Sequence, residues 1–496
     1  MPPPPIMVMG DSLGQGCRNL SVTALNCSQC YASIIASEMN WPLRVPAYPQ
    51  PVLFDLLELI SEIDIDIPIV IPNLLIKLRE NIEFWNSSDW MRPLGTVHDN
   101  IAITGAVYED LFVNTAADFR DRIKKLAAMP LEQLLTNSAP GTKLTDLHLA
   151  ITGMYALNPE GDHATDPNAW SNTAFKIINA RRPQNLFVDI GHNGTDSHFF
   201  GSGSDAIPLR HPGPDYGFDP ALYVAKMKQV ITQLASLNAN GGSPIKIYLS
   251  LLPKLSAVAG LTPGGNFNNG YFDIYEPTLS VSKYSLTRQE AADLDAATKS
   301  ANNQVRDFAT ATDPNNMVVV DYYAFFNEID YKNSAQGPAE AVKQIALTGD
   351  RIDNRYVKGR DIYHPDPISS KPRGVYSCVF DQGGFQSIDG MHPSGVGYAR
   401  VAMEILTKYM GQIITSEKQA AHFQNAFSGD PLLSRFPINL DPIISTLKVI
   451  RRAEGSSEKI EDNDVPIATA IQMLRGVHSN ISSDFVRSVA RQSNIN

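Results

Sequence analysis

Four short stretches of the chain carry residues that could do chemistry together. The first is Gly10-Asp11-Ser12-Leu13, directly after the apolar run Ile6-Met7-Val8-Met9. The second is Asn100-Ile-Ala-Ile-Thr-Gly105, the third Gly191-His192-Asn193, and the fourth Asp389-Gly-Met-His392-Pro. A serine hydroxyl is a weak nucleophile at neutral pH. It needs a base to take its proton and donors to hold the oxyanion that forms. His392 can be the base. Asp389, three residues earlier, is near enough to bind the imidazole Nδ1–H, select its tautomer and stabilise the imidazolium. The oxyanion donors would be the Ser12 backbone N–H, the Gly105 backbone N–H and the Asn193 side chain. Gly105 lacks a Cβ, so a carbonyl can approach its amide closely. Asp11 reads as a loop brace rather than a catalytic acid. Alone, each stretch is ordinary turn chemistry. The set gains meaning only if a fold gathers it.

In this order the four blocks resemble those of the SGNH hydrolases, also called GDSL esterases/lipases. The resemblance spans about residues 6–410. It implies an α/β fold: a three-layer α/β/α sandwich with a mostly parallel, flavodoxin-like five-stranded sheet. It implies hydrolysis of a small-molecule or lipid-like carboxylic ester through an acyl-serine intermediate, with no cofactor. Ser12, Asp389 and His392 would be catalytic, and Ser12, Gly105 and Asn193 would form the oxyanion hole. Two positions depart from the family pattern. Gly194 stands where an aspartate is usual, so the loop bracing is either absent or supplied by Asp196. His192 replaces a small or apolar residue and reads as a solvent-facing loop histidine, with a second polar group at the site mouth as the alternative. A carbohydrate O-acetylesterase and a catalytically silent binding protein on the same fold are the competing expectations.

These blocks need elements to carry them. Apolar runs at 6–9, 185–190, 245–252 and 317–321 read as buried strands, and 98–105 as a short strand ending at Gly105. Helical spacing appears over 31–41, 106–127, 171–181, 219–237, 287–310 and from Gly395 to about Met410. Thr287 with Glu290 forms a capping box. Strands alternating with helices predict a parallel sheet with helices on both faces. Segments 42–96 and 128–170 read as insertions in a hydrolase domain of residues 1–414. Within the first, Val52–Ile60 and Leu74–Ile82 look helical, giving a subdomain with its own small core or an apolar flap near the substrate. The loops 201–218, 256–283 and 330–385 follow strands and should line the substrate mouth. Residues 415–496 read as a helical extension, with candidates at Ile444–Arg452 and Ile467–Val477.

Composition narrows the classes. The chain has 496 residues, is 43% hydrophobic and carries a net charge of −11. That suits a globular protein with a large core and argues against nucleic-acid binding through a basic surface. No run of about 18 apolar residues is present, so no transmembrane segment is expected. Oligomeric state is left open. Cys27-x-x-Cys30 is half of a zinc motif without its second half, so no metal is expected. Cys17, Cys27, Cys30 and Cys378 read as free thiols, with a local disulfide as the alternative in an exported protein. A cytoplasmic location follows if Met1 is the native start, a secreted one if a leader was removed. Asn19, Asn26, Asn86, Asn193 and Asn480 each open a glycosylation sequon, which an oxyanion role would preclude at Asn193.

Overall fold

Four of the apolar runs pair as parallel strands in the computed structural model of the chain. The structure describes residues 2–19, 21–53, 55, 67–131, 134, 144–193, 218–239, 242–277, 285–330, 332, 343–344, 351–356, 358–365, 372–387 and 389–430. Strands β1 (Ile6–Gly10), β2 (Asn185–Asp189), β3 (Lys246–Ser250) and β4 (Met317–Val320) lie in that order. All neighbours are parallel and in continuous register, from Ile6 against Asn185 to Ile247 against Met317. Every residue of β1 is buried. A strand covered by helices on both faces is apolar throughout rather than alternating.

The fifth expected strand is only an edge segment. Val8 N donates to Asp99 O, Ile101 N to Val8 O and Ile103 N to Gly10 O, each at 2.9 Å. The segment therefore runs parallel to β1. It stays irregular, with one bridge pair, Val8 and Asn100, and the Asn100 side chain caps its outer edge: Oδ1 accepts from Ala102 N, which points away from β1, while Nδ2 donates to Gly14 O. The regular sheet thus has four strands, not five. With the edge segment included, the spatial order by position in the chain is 2-1-3-4-5. The order reverses at β1, which is where open α/β sheets place their ligands.

Gly10 makes this reversal possible. Its φ is +145°, and a Cβ there would lie 2.0 Å from the Asp189 carbonyl oxygen. Only glycine lets the carboxyl ends of β1 and β2 approach so closely. Asp11 N then donates to Asp189 O at 2.7 Å.

The helices Pro220–Ala239 and Arg288–Thr312 pack on each other, as do Tyr31–Glu38 and Gly395–Glu404. The Thr287–Glu290 capping box is formed. Several expected elements differ. The single helix over 106–127 is two, Tyr108–Phe112 and Ala116–Ala127, because Thr115 caps the second through a box with Asp118. Segment 128–170 contains the helix Leu144–Leu157, packed on Ala116–Ala127. The loop over 256–283 holds a hairpin, Leu261–Asn268 against Tyr271–Pro277. Asn269 and Gly270 turn it with φ of 50° and 82°, the pair that a tight two-residue hairpin prefers. The irregular 330–385 region includes the antiparallel strands Lys358–Pro365 and Pro372–Gln386.

In the first insertion, Val52 and Leu53 form a bend rather than starting a helix, and residues 54 and 56–60 lie outside the described residues. The second candidate is longer than expected, a helix over Ile67–Asn86. Its Leu78, Ile82 and Trp85 join the main core rather than a separate one. The C-terminal region begins with the helix Ser416–Gly429. The candidates at 444–452 and 467–477 lie outside the described residues, as do Asn480 and most of 201–218. Among the sequons, Asn19 and Asn26 are buried while Asn86 is exposed. Cys17, Cys27 and Cys30 are buried free thiols.

Replacing Gly10 by alanine should lower the unfolding free energy by about 3 kcal/mol or more, since the clash is with backbone that cannot rotate away. A denaturant titration of the purified variant measures this, and a loss below about 1 kcal/mol would mean the strands can part without penalty.

Candidate active site

Ser12 opens a single helical turn, Ser12–Gln15, capped by Asp11, whose carboxylate accepts from Leu13 N at 3.1 Å. The turn ends at Gly16, which has φ +94° and whose N–H, like that of Cys17, donates back to Ser12 O. A Cβ at Gly16 would fall 2.7 Å from Asn26 O. The tight reversal after β1 holds the Ser12 side chain at the sheet's carboxyl edge, 5% exposed.

His392 comes from a loop after the strand Pro372–Gln386 and before the helix Gly395–Glu404. Asp389 braces this loop through its own backbone. Its Oδ1 accepts from Met391 N at 3.0 Å and His392 N at 2.8 Å. Its Oδ2 lies 3.0 Å from His392 Nδ1, and His392 Nε2 lies 2.8 Å from Ser12 Oγ. With Nδ1–H donated to the carboxylate, Nε2 is the lone-pair nitrogen facing the hydroxyl. Burial alone would raise Asp389, but the His392 imidazole and the two backbone N–H groups outweigh it and hold the carboxyl below its usual range. Burial alone would depress His392. The Cys17 sulfur and the Asp389 carboxylate outweigh it and raise the imidazole well above the ordinary 6.5.

Asn193 lines the same cleft as Ser12 and His392. Gly105 follows the edge segment in a turn with φ +81°. It is tied to the serine turn one residue earlier, where Thr104 N donates to Gln15 Oε1 at 3.0 Å. The structure thus joins Ser12, His392 and Asp389 by hydrogen bonds, adds Asn193 as a cleft neighbour, and sets Gly105 beside the Ser12 turn.

His192 is not solvent-facing. It is 2% exposed, and its Nδ1 lies 2.8 Å from Asp11 Oδ2. Gly191, at φ +106°, presses against the Tyr223 ring and turns the next side chain inward. There the buried Asp11 carboxylate takes it as a partner. Asp11 is the expected loop brace, while Asp196 lies outside the described residues.

Other residues at the site went unread in the sequence. Asp189 accepts from Tyr31 OH at 2.5 Å, Ser250 Oγ at 2.6 Å and Tyr322 OH at 3.3 Å. Burial and the neighbouring Asp11 raise its pKa. Tyr31 and Tyr322 line the cleft with Leu13, Phe326, Met391 and Val401. No described residue of 52–82, 256–283 or 330–385 lines it. The hairpin and the turn before it are anchored elsewhere: Tyr271 OH and Ser256 Oγ both donate to the buried Asp295 on the helix Arg288–Thr312. His148, on the helix Leu144–Leu157, has its Nε2 buried without a hydrogen-bond partner among the described residues. Burial and nearby His392 lower its pKa to about 3. Leu147, Ile151 and Met154 at helical intervals were the available signal for that helix.

Fold and site together define a class: three-layer α/β proteins that hold a serine and a histidine at the topological switch point. A model of the GDSL-like Lipase/Acylhydrolase family matches residues 6–405, and the chain belongs to that family. Membership supports an acyl hydrolase of the esterase or lipase type. Neither a curated protein nor a solved structure matches the chain. Among the described residues no helix is long and apolar enough to cross a membrane.

Exchanging His192 for leucine should destabilise the protein by about 3 kcal/mol, because it leaves the Asp11 carboxylate buried beside an apolar group. A solvent-facing loop histidine would change stability by less than about 0.5 kcal/mol. Equilibrium unfolding of the variant distinguishes the two.

Proposed function

We propose that the protein is a carboxylic ester hydrolase working through an acyl-serine intermediate. The carrying observation is the continuous relay from Asp389 Oδ2 to His392 Nδ1 at 3.0 Å and from His392 Nε2 to Ser12 Oγ at 2.8 Å. In this reading Ser12 Oγ attacks the ester carbonyl carbon while His392 Nε2 takes its proton. Asp389 stabilises the resulting imidazolium. The backbone N–H groups of Ser12 and Gly105 and the Asn193 side chain receive the negative charge on the former carbonyl oxygen. As the intermediate collapses, His392 returns the proton to the leaving alcohol and Ser12 stays acylated. Water, deprotonated by the same imidazole, then attacks the acyl carbon; the Ser12 Oγ–acyl bond breaks, His392 returns the proton to Oγ, and the acid is released.

The apolar side chains of Leu13, Phe326, Met391 and Val401 around the cleft favour an acyl chain as the group bound there. A chain-length series of p-nitrophenyl esters tests this. Medium-chain esters should have higher kcat/KM than acetate. Hydrolysis of acetate alone would instead indicate an O-acetylesterase. Ser12→Ala should lower kcat by roughly 10³- to 10⁶-fold with the fold intact. Absence of any fluorophosphonate adduct on Ser12 in the folded protein would instead indicate a silent binding protein.

The raised His392 pKa fixes the sign of the pH response. The base must be neutral, so kcat/KM should fall as pH drops through a value above 6.5. Asp389→Asn removes one of the charges holding the imidazole up. It should move the acid limb to lower pH while reducing the plateau, as a full pH–rate profile of both proteins would record.

A further inference from the structure

The family match ends at residue 405, yet a residue well beyond it touches both loops that meet at the site. The helix Ser416–Gly429 packs on Gly395–Glu404 and delivers Asp430, which is 1% exposed. Asp430 Oδ2 accepts from Gly395 N at 3.0 Å and lies 3.5 Å from Arg18 Nη1. Gly395 follows His392 by three positions, and Arg18 follows Ser12 by six. One carboxylate oxygen therefore bridges the serine loop and the histidine loop.

Arg18 Nη1 makes no hydrogen bond among the described residues and has the Asp430 carboxylate as its ion-pair partner, while the rest of the guanidinium is held on the serine side. Arg18 is fully buried, its Nε donating to Asn26 Oδ1 at 2.9 Å and its Nη2 to Gln29 Oε1 at 2.5 Å. Gln29 Nε2 in turn donates to Gly429 O at 2.9 Å, so the same helix end grips the serine loop twice. A Cβ on Gly395 would lie 2.8 Å from Arg18 Nη1 and 3.2 Å from Asp430 Cβ. A buried ion pair adds little net stability over apolar packing, and its better-attested use is to fix which arrangement is adopted. Here the arrangement fixed is the distance between two loops whose side chains must meet within hydrogen-bond reach.

We propose that Asp430 is a positioning residue that clamps Arg18 to Gly395 and so sets the Ser12–His392 contact. The segment beyond the family region thereby becomes part of the working enzyme. This inference rests on the ester hydrolase reading of that contact.

The test uses the full-length wild type, Asp430→Ala and Asp430→Asn. Three quantities are measured: the second-order rate constant for fluorophosphonate labelling of Ser12, kcat and KM on a p-nitrophenyl ester, and thermal unfolding. The rate constants are intensive, so a smaller folded fraction does not mimic the effect. Asp430→Ala should lower the labelling constant and kcat at least about tenfold with KM within about twofold. Asp430→Asn matches the side chain in shape and keeps an acceptor for Gly395 N. It should recover part of the loss, and it decides the matter if Asp430→Ala does not fold. Wild-type labelling constants and kcat in folded variants, or a change confined to KM, would overturn the clamp while leaving the hydrolase reading intact. A wild type that is not labelled on Ser12 would overturn both.

Discussion

The close approach of β1 and β2 at their carboxyl ends is the constraint on which the site depends. Gly10 allows it, and the hydrogen bond from Asp11 N to Asp189 O at 2.7 Å holds it. From that single spacing two turns diverge. One presents Ser12, the other carries Gly191, His192 and Asn193. Because both leave the sheet at adjoining points, the Asp11 and His192 side chains meet beside the serine turn at 2.8 Å. They form a buried brace that involves neither the imidazole nor the aspartate of the final block. A wider separation would leave two buried polar side chains without each other, a costly state in a low-dielectric interior.

Three carboxylates are buried within this small region, and their surroundings separate them. Asp389 has an imidazole and two backbone N–H groups, enough to offset burial and keep it ionised. Asp189 has hydroxyl donors and a neighbouring carboxylate, so burial prevails and its proton is held more tightly. Asp11 is paired with His192, which lines the same cleft as Ser12 and His392. The same residue type thus serves as an electrostatic partner, a hydroxyl organiser and a structural brace. Environment, not identity, assigns the roles.

Much of this was legible in the sequence because strong local signals and function coincide. The apolar runs of β1–β4, the Thr287 cap and the four blocks are read from a few residues each. The inward turn of His192 was not, since a loop histidine reveals its direction only when Gly191 is seen against Tyr223. Asp189 reads simply as the last residue of a strand until Tyr31, Ser250 and Tyr322 converge on it from distant positions. The edge strand was read as regular because hydropathy does not reveal that it forms one bridge pair with β1, Val8 with Asn100. The hairpin at Asn269-Gly270 was missable only by discounting a turn dipeptide within a Gly/Asn-rich stretch. Asp430 gives no local signal, because its meaning comes entirely from Arg18 and Gly395.

The order of the strands also governs when such a molecule can begin to work. Ser12 emerges early in synthesis, yet the imidazole that meets it lies 380 residues later. The helix ending at Asp430 emerges later still. Every strand of the sheet can be out of the ribosome while the Ser12 hydroxyl still has no imidazole beside it. Under the proposed relay, a growing polypeptide would stay chemically quiet toward esters until the histidine loop and the helix before Asp430 had both been made, whatever the state of its core.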